Sequence, residues 1–265
     1  QAGMRRRFAK RLGSVLVVLL VLSMFIFYLS TLIPGDLATV LVGSEGATEE
    51  QLAEVRAELG LDDPFIVQYA RWLSGVITLD FGTSPITGRS VTSDLARQVP
   101  VSLELAVLSL LTSTAVGIPA GIVAARFANQ ATDFLLRTFL LLAFSIPVFV
   151  TGILVVLYGS QYLGPLYTST YVPLSESVIE NLRSMVLPVM TVTLPLAALT
   201  MQMVRGSLLD HMNTDYVKLA FAKGASNRRV YFVHAAKNAM PPVITLLGYQ
   251  FGLLMGGMFV VEEIF

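Results

Sequence analysis

The 265-residue sequence contains no cysteine, so no disulfide framework, thiolate metal site or thiol nucleophile can be built from it. Charge is scarce as well: Asp, Glu, Lys and Arg make up 14% of the residues, against about 25% in a typical soluble domain. Only two histidines occur, His211 and His234. Neither stands in a His-Glu-x-x-His pattern or beside a cluster of acids. A metal site needs several converging ligands, so both read as solvated or loop-packed residues and no metal is expected. No Gly-x-x-x-x-Gly-Lys-Ser/Thr loop occurs, which excludes ATP binding of that kind by this chain.

What the sequence does hold is apolar surface. Hydrophobic residues make up 54% of it, and they cluster in long runs rather than in amphipathic stripes. Five runs, at about 12–33, 100–125, 134–163, 184–204 and 241–261, reach the roughly 20 apolar residues that cross a bilayer core. The first follows Arg5, Arg6, Arg7, Lys10 and Arg11. It is too long for a signal peptide and is followed by Pro34-Gly35-Asp36, so it reads as an uncleaved span. These features predict an all-α integral membrane protein, a polytopic helical bundle.

Lys and Arg favour the cytoplasmic side of a membrane. With the N-terminus placed inside, 13 of the 18 basic residues fall in inner segments. The 34–99 segment then lies outside. It carries its own helix signals: Thr48-Glu49-Glu50-Gln51 fits a capping box, Gly60 a C-terminal stop, and Pro64 the start of a second short helix bearing Phe65, Tyr69 and Trp72. The expected organisation is a cytoplasmic N-terminus and first span (1–33), an outer cap (34–99), whose aromatic residues are expected at the membrane interface, and a core of the remaining spans (100–265). An inner loop lies at about 205–240.

Several residues inside the spans are candidates for function. Glu104 is an ionisable group a few residues into the second run. It complements the positive end of a helix dipole there, or it serves a substrate or a proton. Pro119, Pro147, Pro188 and Pro195 each remove a backbone hydrogen bond and invite a kink. Gly117 and Gly121, and again Gly248, Gly252 and Gly256, have the small-x-x-x-small spacing that lets helices approach closely. Spacing leaves open whether the partner helix is internal or belongs to another subunit.

The inner loop carries the densest pattern. From Asp215 and Tyr216 through Ala220, Ala222 and Lys223 a short helix is expected. Gly224 ends it in a left-handed conformation, and Ser226 caps a second helix that carries Arg228, Arg229 and His234. A basic, partly apolar pair of helices suits either a lipid surface or a groove on a soluble partner.

At this loop the sequence resembles the membrane subunits of ATP-binding-cassette importers, specifically the first permease of the dipeptide and oligopeptide (peptide/nickel) systems. The likeness lies in Asp215-Tyr216-Val217, in Ala220-Phe221-Ala222-Lys223-Gly224 with Ser226, and in His234-Ala235 with Asn238-Ala239. Leu59 to Pro64, Val67 to Leu73, Asp80 to Ser84, Leu103 to Ala106, Ser145-Ile146-Pro147 and Gly256 to Phe265 extend it over essentially the whole chain. The wider superfamily has Glu-Ala-Ala where this chain has Lys218, Leu219 and Ala220, a departure that the peptide branch shares.

The resemblance implies a type I importer fold with six spans, of which five are present. It implies a homologous second permease, two ATPase subunits that carry the ATP and Mg, and an extracytoplasmic substrate-binding protein. Membrane lipid is a further partner and nucleic acid is not. Peptide cargo is implied, in a bacterial cell membrane. Related permeases carry nickel, glutathione, haem or small glycans. The rival classes are a membrane anchor that transports nothing and a membrane enzyme. The first has no need of a helix–Gly–helix loop, and the second needs converging ionisable groups where only Glu104 is found.

Overall fold

The computed structural model describes residues 2–32, 38–39, 48–84, 87–162, 170–212, 214–226, 230 and 236–265. Among the described residues the regular structure is helical, apart from one isolated antiparallel bridge between Thr83 and Ser90. The chain divides into two compact units, residues 1–98 and 99–265.

In the first unit, α1 (Ala2–Thr31) contains a 23-residue apolar span, Ala9–Thr31. Helix α2 (Glu49–Leu59) opens with the expected capping box: the Gln51 amide donates to the Thr48 hydroxyl, and the Thr48 amide donates to Gln51 Oε1. It closes at Gly60, whose φ of 62° lies in the left-handed region that glycine enters without a Cβ clash. Helix α3 (Phe65–Thr78) follows Pro64 directly. The turn between α2 and α3 is clamped by Gln68, whose amide donates to the carbonyls of Leu61 and Asp63 at 2.8 Å each, and by an Arg71–Asp63 ion pair at 2.6 Å.

Phe65, Tyr69 and Trp72 gather round Phe27 of α1, with ring centroids 5.6–5.7 Å from it. The Tyr69 and Ser23 hydroxyls are hydrogen-bonded at 2.8 Å. Stacking one ring per turn of α3 on α1 buries more apolar surface than displaying the rings singly, and each such pair adds about 0.5–1.5 kcal/mol beyond its area.

The second unit is organised round one helix, α7 (Val178–Met212), whose apolar stretch is largely buried. Helix α4 (Val91–Arg126) runs parallel to it, because Gly117 faces Ala197 and Thr200 while Gly121 faces Met201 and Val204. Helix α5 (Ala131–Ser145) runs antiparallel, with Asp133 against Arg205 and Leu140 clustered with Ala198 and Met201. Helix α9 (Ala236–Gly257) is also antiparallel: the Ser207 hydroxyl donates to the Ala239 carbonyl, and Gln250 lies against Leu196 and Thr200.

The run expected as a single third span is a bent pair. Helix α5 ends at Ser145, and α6 (Val148–Tyr162) leaves at 96° to it across Ile146 and Pro147. Proline disfavours helical geometry in the residue before it and cannot donate to the preceding turn, which explains the break. Among the described residues four helices are long and apolar enough to cross a membrane, or five if the bent pair is taken as one span. Helix α7 continues through Pro188 and Pro195, and α4 likewise through Pro119. Neighbouring helices packed against such a helix let it tolerate proline in a membrane. The fifth run ends earlier than expected, at Gly257, and a short helix α10 (Phe259–Ile264) follows Met258.

Candidate functional site: the α7–α8 junction and the polar contacts of the bundle

Helix α8 (Asp215–Ala222) departs three residues after α7 ends. Its start is held to α9 by a hydrogen bond from Asn238 Nδ2 to the Tyr216 hydroxyl at 3.0 Å. Val217 is fully buried, whereas Asp215, Tyr216, Lys218, Leu219, Ala222 and Lys223 are exposed. One side of the helix therefore packs and the other presents two apolar residues among charges. Asp215 and Lys218 pair at 3.2 Å, an exposed contact that contributes little to stability.

The helix stops as the sequence predicts. The Lys223 amide donates to Leu219, the Ala225 amide reaches back to Ala220, and Gly224 has φ 82°. Among the described residues nothing lies within 4 Å of where a Gly224 Cβ would stand, and its backbone angle by itself favours glycine there. Beyond it the Ser226 carbonyl accepts from the Val230 amide, four residues on. Arg228, Arg229 and His234 fall outside the described residues. His211, in the last turn of α7, donates from Nδ1 to the Ser207 carbonyl at 2.8 Å. It borders a cleft of about 540 Å³ with Gln202, Asp210 and Pro242. Among the described residues no three His, Asp or Glu side chains converge in a way that could hold a metal ion.

The glycine pairs separate into two kinds. A Cβ on Gly117 would stand 2.7 Å from the Thr200 Cβ and one on Gly121 2.6 Å from the Val204 Cβ, so this pair seats α4 on α7 within the chain. Gly248, Gly252 and Gly256 have nothing within 4 Å. They lie on the side of α9 opposite the buried Gln250 and Val243 and make no such contact among the described residues.

Glu104 is half-buried near the start of the core. Its Oε2 accepts a hydrogen bond from the Tyr171 hydroxyl at 2.9 Å, while its Oε1 is buried with no partner. Burial, and then the Glu104 carboxylate, push the Tyr171 phenol up to about 12, so Tyr171 remains a neutral donor at any physiological pH. Pro147 sits in the α5–α6 bend, and Pro188 is buried within α7.

Two polar contacts escaped the sequence reading. Arg205 and Asp133 form a two-pronged ion pair, Nε to Oδ1 and Nη2 to Oδ2 at 2.7 Å each, with Asp133 only 1% exposed. Gln250 is fully buried and donates from Nε2 to the Leu196 carbonyl at 3.1 Å. The partners are 72 and 54 residues apart in sequence. The only signals available were a charge close to each helix end and an amide in an apolar run.

A helical bundle with several membrane-length apolar helices round one buried helix, from which a short helix and a left-handed glycine lead out, is the architecture of a polytopic membrane protein. Comparison with known proteins is specific on this point. Residues 117–265 match the family of binding-protein-dependent transport system inner membrane components, and residues 4–106 match the N-terminal region of such components. The chain is 35% identical to the "Probable peptide ABC transporter permease protein y4tP" of Sinorhizobium fredii over 97% of its own length and 82% of that protein's. It is equally 35% identical to the "Glutathione transport system permease protein GsiC" of Salmonella paratyphi A, over 97% of its own length and 81% of the relative's. The chain belongs to the family of binding-protein-dependent transport system inner membrane components and is a multi-pass permease subunit.

Proposed function

We propose that the chain is one of two homologous permeases of an ATP-driven importer of di- or oligopeptides. The observation that carries this is the likeness, over 97% of the chain, to a relative whose name is that of a peptide permease. The two permeases form the pathway between them. Two ATPase subunits bind ATP and Mg and receive α8 and the Gly224 turn in a cleft, with Asp215, Tyr216, Ala220, Ala222, Lys223 and Ser226 in or beside that contact and Arg228, Arg229 and His234 following it. Closure of the ATPases on ATP then moves α8 and, through α7, switches the pathway between inward and outward access. An extracytoplasmic binding protein delivers the peptide, and the N-terminus is cytoplasmic, where its cluster of Arg and Lys is favoured.

Glutathione is a second reading, favoured by the equally similar relative named for its transport. It is itself a short peptide, so both readings ask the same of the pathway.

Purification of the tagged chain from its native membrane in mild detergent, with mass spectrometry of what accompanies it, tests the assembly. Two phosphate-loop ATPases and a second permease are expected. Recovery of the chain alone contradicts the reading. Ligand retained on a co-purified binding protein separates longer peptides from glutathione.

A further inference from the structure

The Asp133–Arg205 pair lies at a junction of three helices. Asp133 is the third residue of α5, and its Oδ2 also accepts from the backbone amide of Asn129, in the turn that joins α4 to α5. Asn129 itself has φ 63°, a left-handed conformation that asparagine tolerates better than most residues. Arg205 stands two helical turns before the end of α7, from which α8 departs. One buried carboxylate thus joins the end of α4, the start of α5 and the last part of α7.

Further along the α5–α7 contact lies an apolar cluster of Leu140 with Ala198 and Met201, with Leu136 packed at its edge. Apolar contacts are non-directional, so they hold two helices together without fixing their position along the axis. A two-pronged guanidinium–carboxylate pair is directional and fixes that position. Buried ion pairs add little net stability over well-packed apolar side chains, and setting register is their best-attested use. At its far end α5 leads into the 96° bend, and α6 returns to α7, where Gly159 meets Leu187. The bent pair is therefore fastened to α7 at both ends, polar at one and apolar at the other.

We propose that Asp133 and Arg205 are positioning residues for energy coupling. Their ion pair fixes the register of α5 on α7 next to the α8 junction, so that a displacement of α8 reaches the α5–α6 bend and is not lost as slippage between helices. This rests on the importer reading above.

The test uses the whole transporter, reconstituted in vesicles with its ATPases and binding protein, and reads substrate imported per ATP hydrolysed. Asp133→Leu/Arg205→Met is expected to assemble and hydrolyse ATP within about twofold of the wild type and to import at least tenfold less per ATP, because apolar packing replaces the pair without its direction. Arg205→Lys, which keeps the charge but not the fork, is expected to fall between. A wild-type ratio of import to hydrolysis in the double variant overturns the proposal.

A second readout does not depend on transport. The absence of native cysteine allows spin labels at Leu135 and Gln202 alone, both exposed. The distance distribution between them is expected to be narrow in the wild type and at least twice as wide in the double variant. An unchanged width overturns the register claim. A wild-type complex that imports nothing while the widths differ as expected counts against the importer reading and not against the fixed register.

Discussion

Gly121 on α4 lies so close to Val204 on α7 that a side-chain carbon on the glycine would stand 2.6 Å from the valine Cβ and 2.8 Å from the Met201 carbonyl oxygen. Backbone and branched Cβ atoms cannot swing aside as the tip of a long side chain can. The two helices run parallel at this separation only because position 121 has no side chain, and Gly117, one turn earlier, meets the same constraint against Thr200. Gly121→Val is expected to force α4 off α7 and to lower stability by about 1–3 kcal/mol, the usual cost of overpacking a well-filled core. Gly252→Val, on the open side of α9, is expected to cost much less in the isolated chain. Thermal unfolding of the two variants in detergent gives the comparison, and equal losses would count against this packing.

Gln250 supplies a different kind of contact. Fully buried on α9, it donates to the Leu196 carbonyl and faces the Thr200 hydroxyl. Gln250→Ala leaves the Thr200 hydroxyl without this partner and opens a cavity, so a loss of about 2–4 kcal/mol is expected. Gln250→Leu fills the volume and is expected to recover part of it. Denaturation of the three proteins under one detergent condition checks the order.

Tyr171 provides a pH prediction. Its phenol is pushed up to about 12 from an ordinary value near 10. A group whose pKa is raised on folding contributes stability that is complete below the unfolded value and is lost as pH rises through the folded one. The contribution of the Tyr171–Glu104 contact is therefore constant through neutral pH and disappears between about pH 10 and 12. Ultraviolet titration of tyrosinate should show one phenol ionising late, and Tyr171→Phe should remove that step while leaving the others.

Gly224 tests the proposed coupling turn. Its φ of 82° is incompatible with proline, whose ring fixes φ near about −65°. Gly224→Pro is expected to insert into the membrane normally and to abolish uptake. Gly224→Ala, strained by its angle with nothing crowding it, is expected to lower uptake and keep part of it. Normal uptake by the proline variant would remove the turn from the mechanism.

Much of this architecture is legible in the sequence, and the remainder has identifiable causes. Apolar runs announced the long helices because length and composition suffice to recognise a span. Thr48, Gly60 and Gly224 announced their caps because capping is decided within a few residues. The 96° turn at Pro147 and the uninterrupted α7 through Pro188 and Pro195 were not distinguishable beforehand. A proline removes the same hydrogen bond in each case, and neighbouring helices decide whether the helix survives. The Asp133–Arg205 pair was hidden for a related reason, since residues 72 positions apart meet only through the order in which helices pack. The same holds for the two glycine sets, of identical spacing, of which one is filled by α7 and the other open.

In the proposed mechanism α8 hands the motion of an ATPase to this chain. Leu219, exposed by 55% on the outer side of α8, is the position from which to test it. A photo-activated cross-linking residue placed there in the native membrane should yield an adduct with a phosphate-loop ATPase, and the same residue at Leu22 on α1 should not. Adducts with that ATPase from Leu219 alone would bear out the account. Adducts only with lipid, or with no ATP-binding protein, would contradict it.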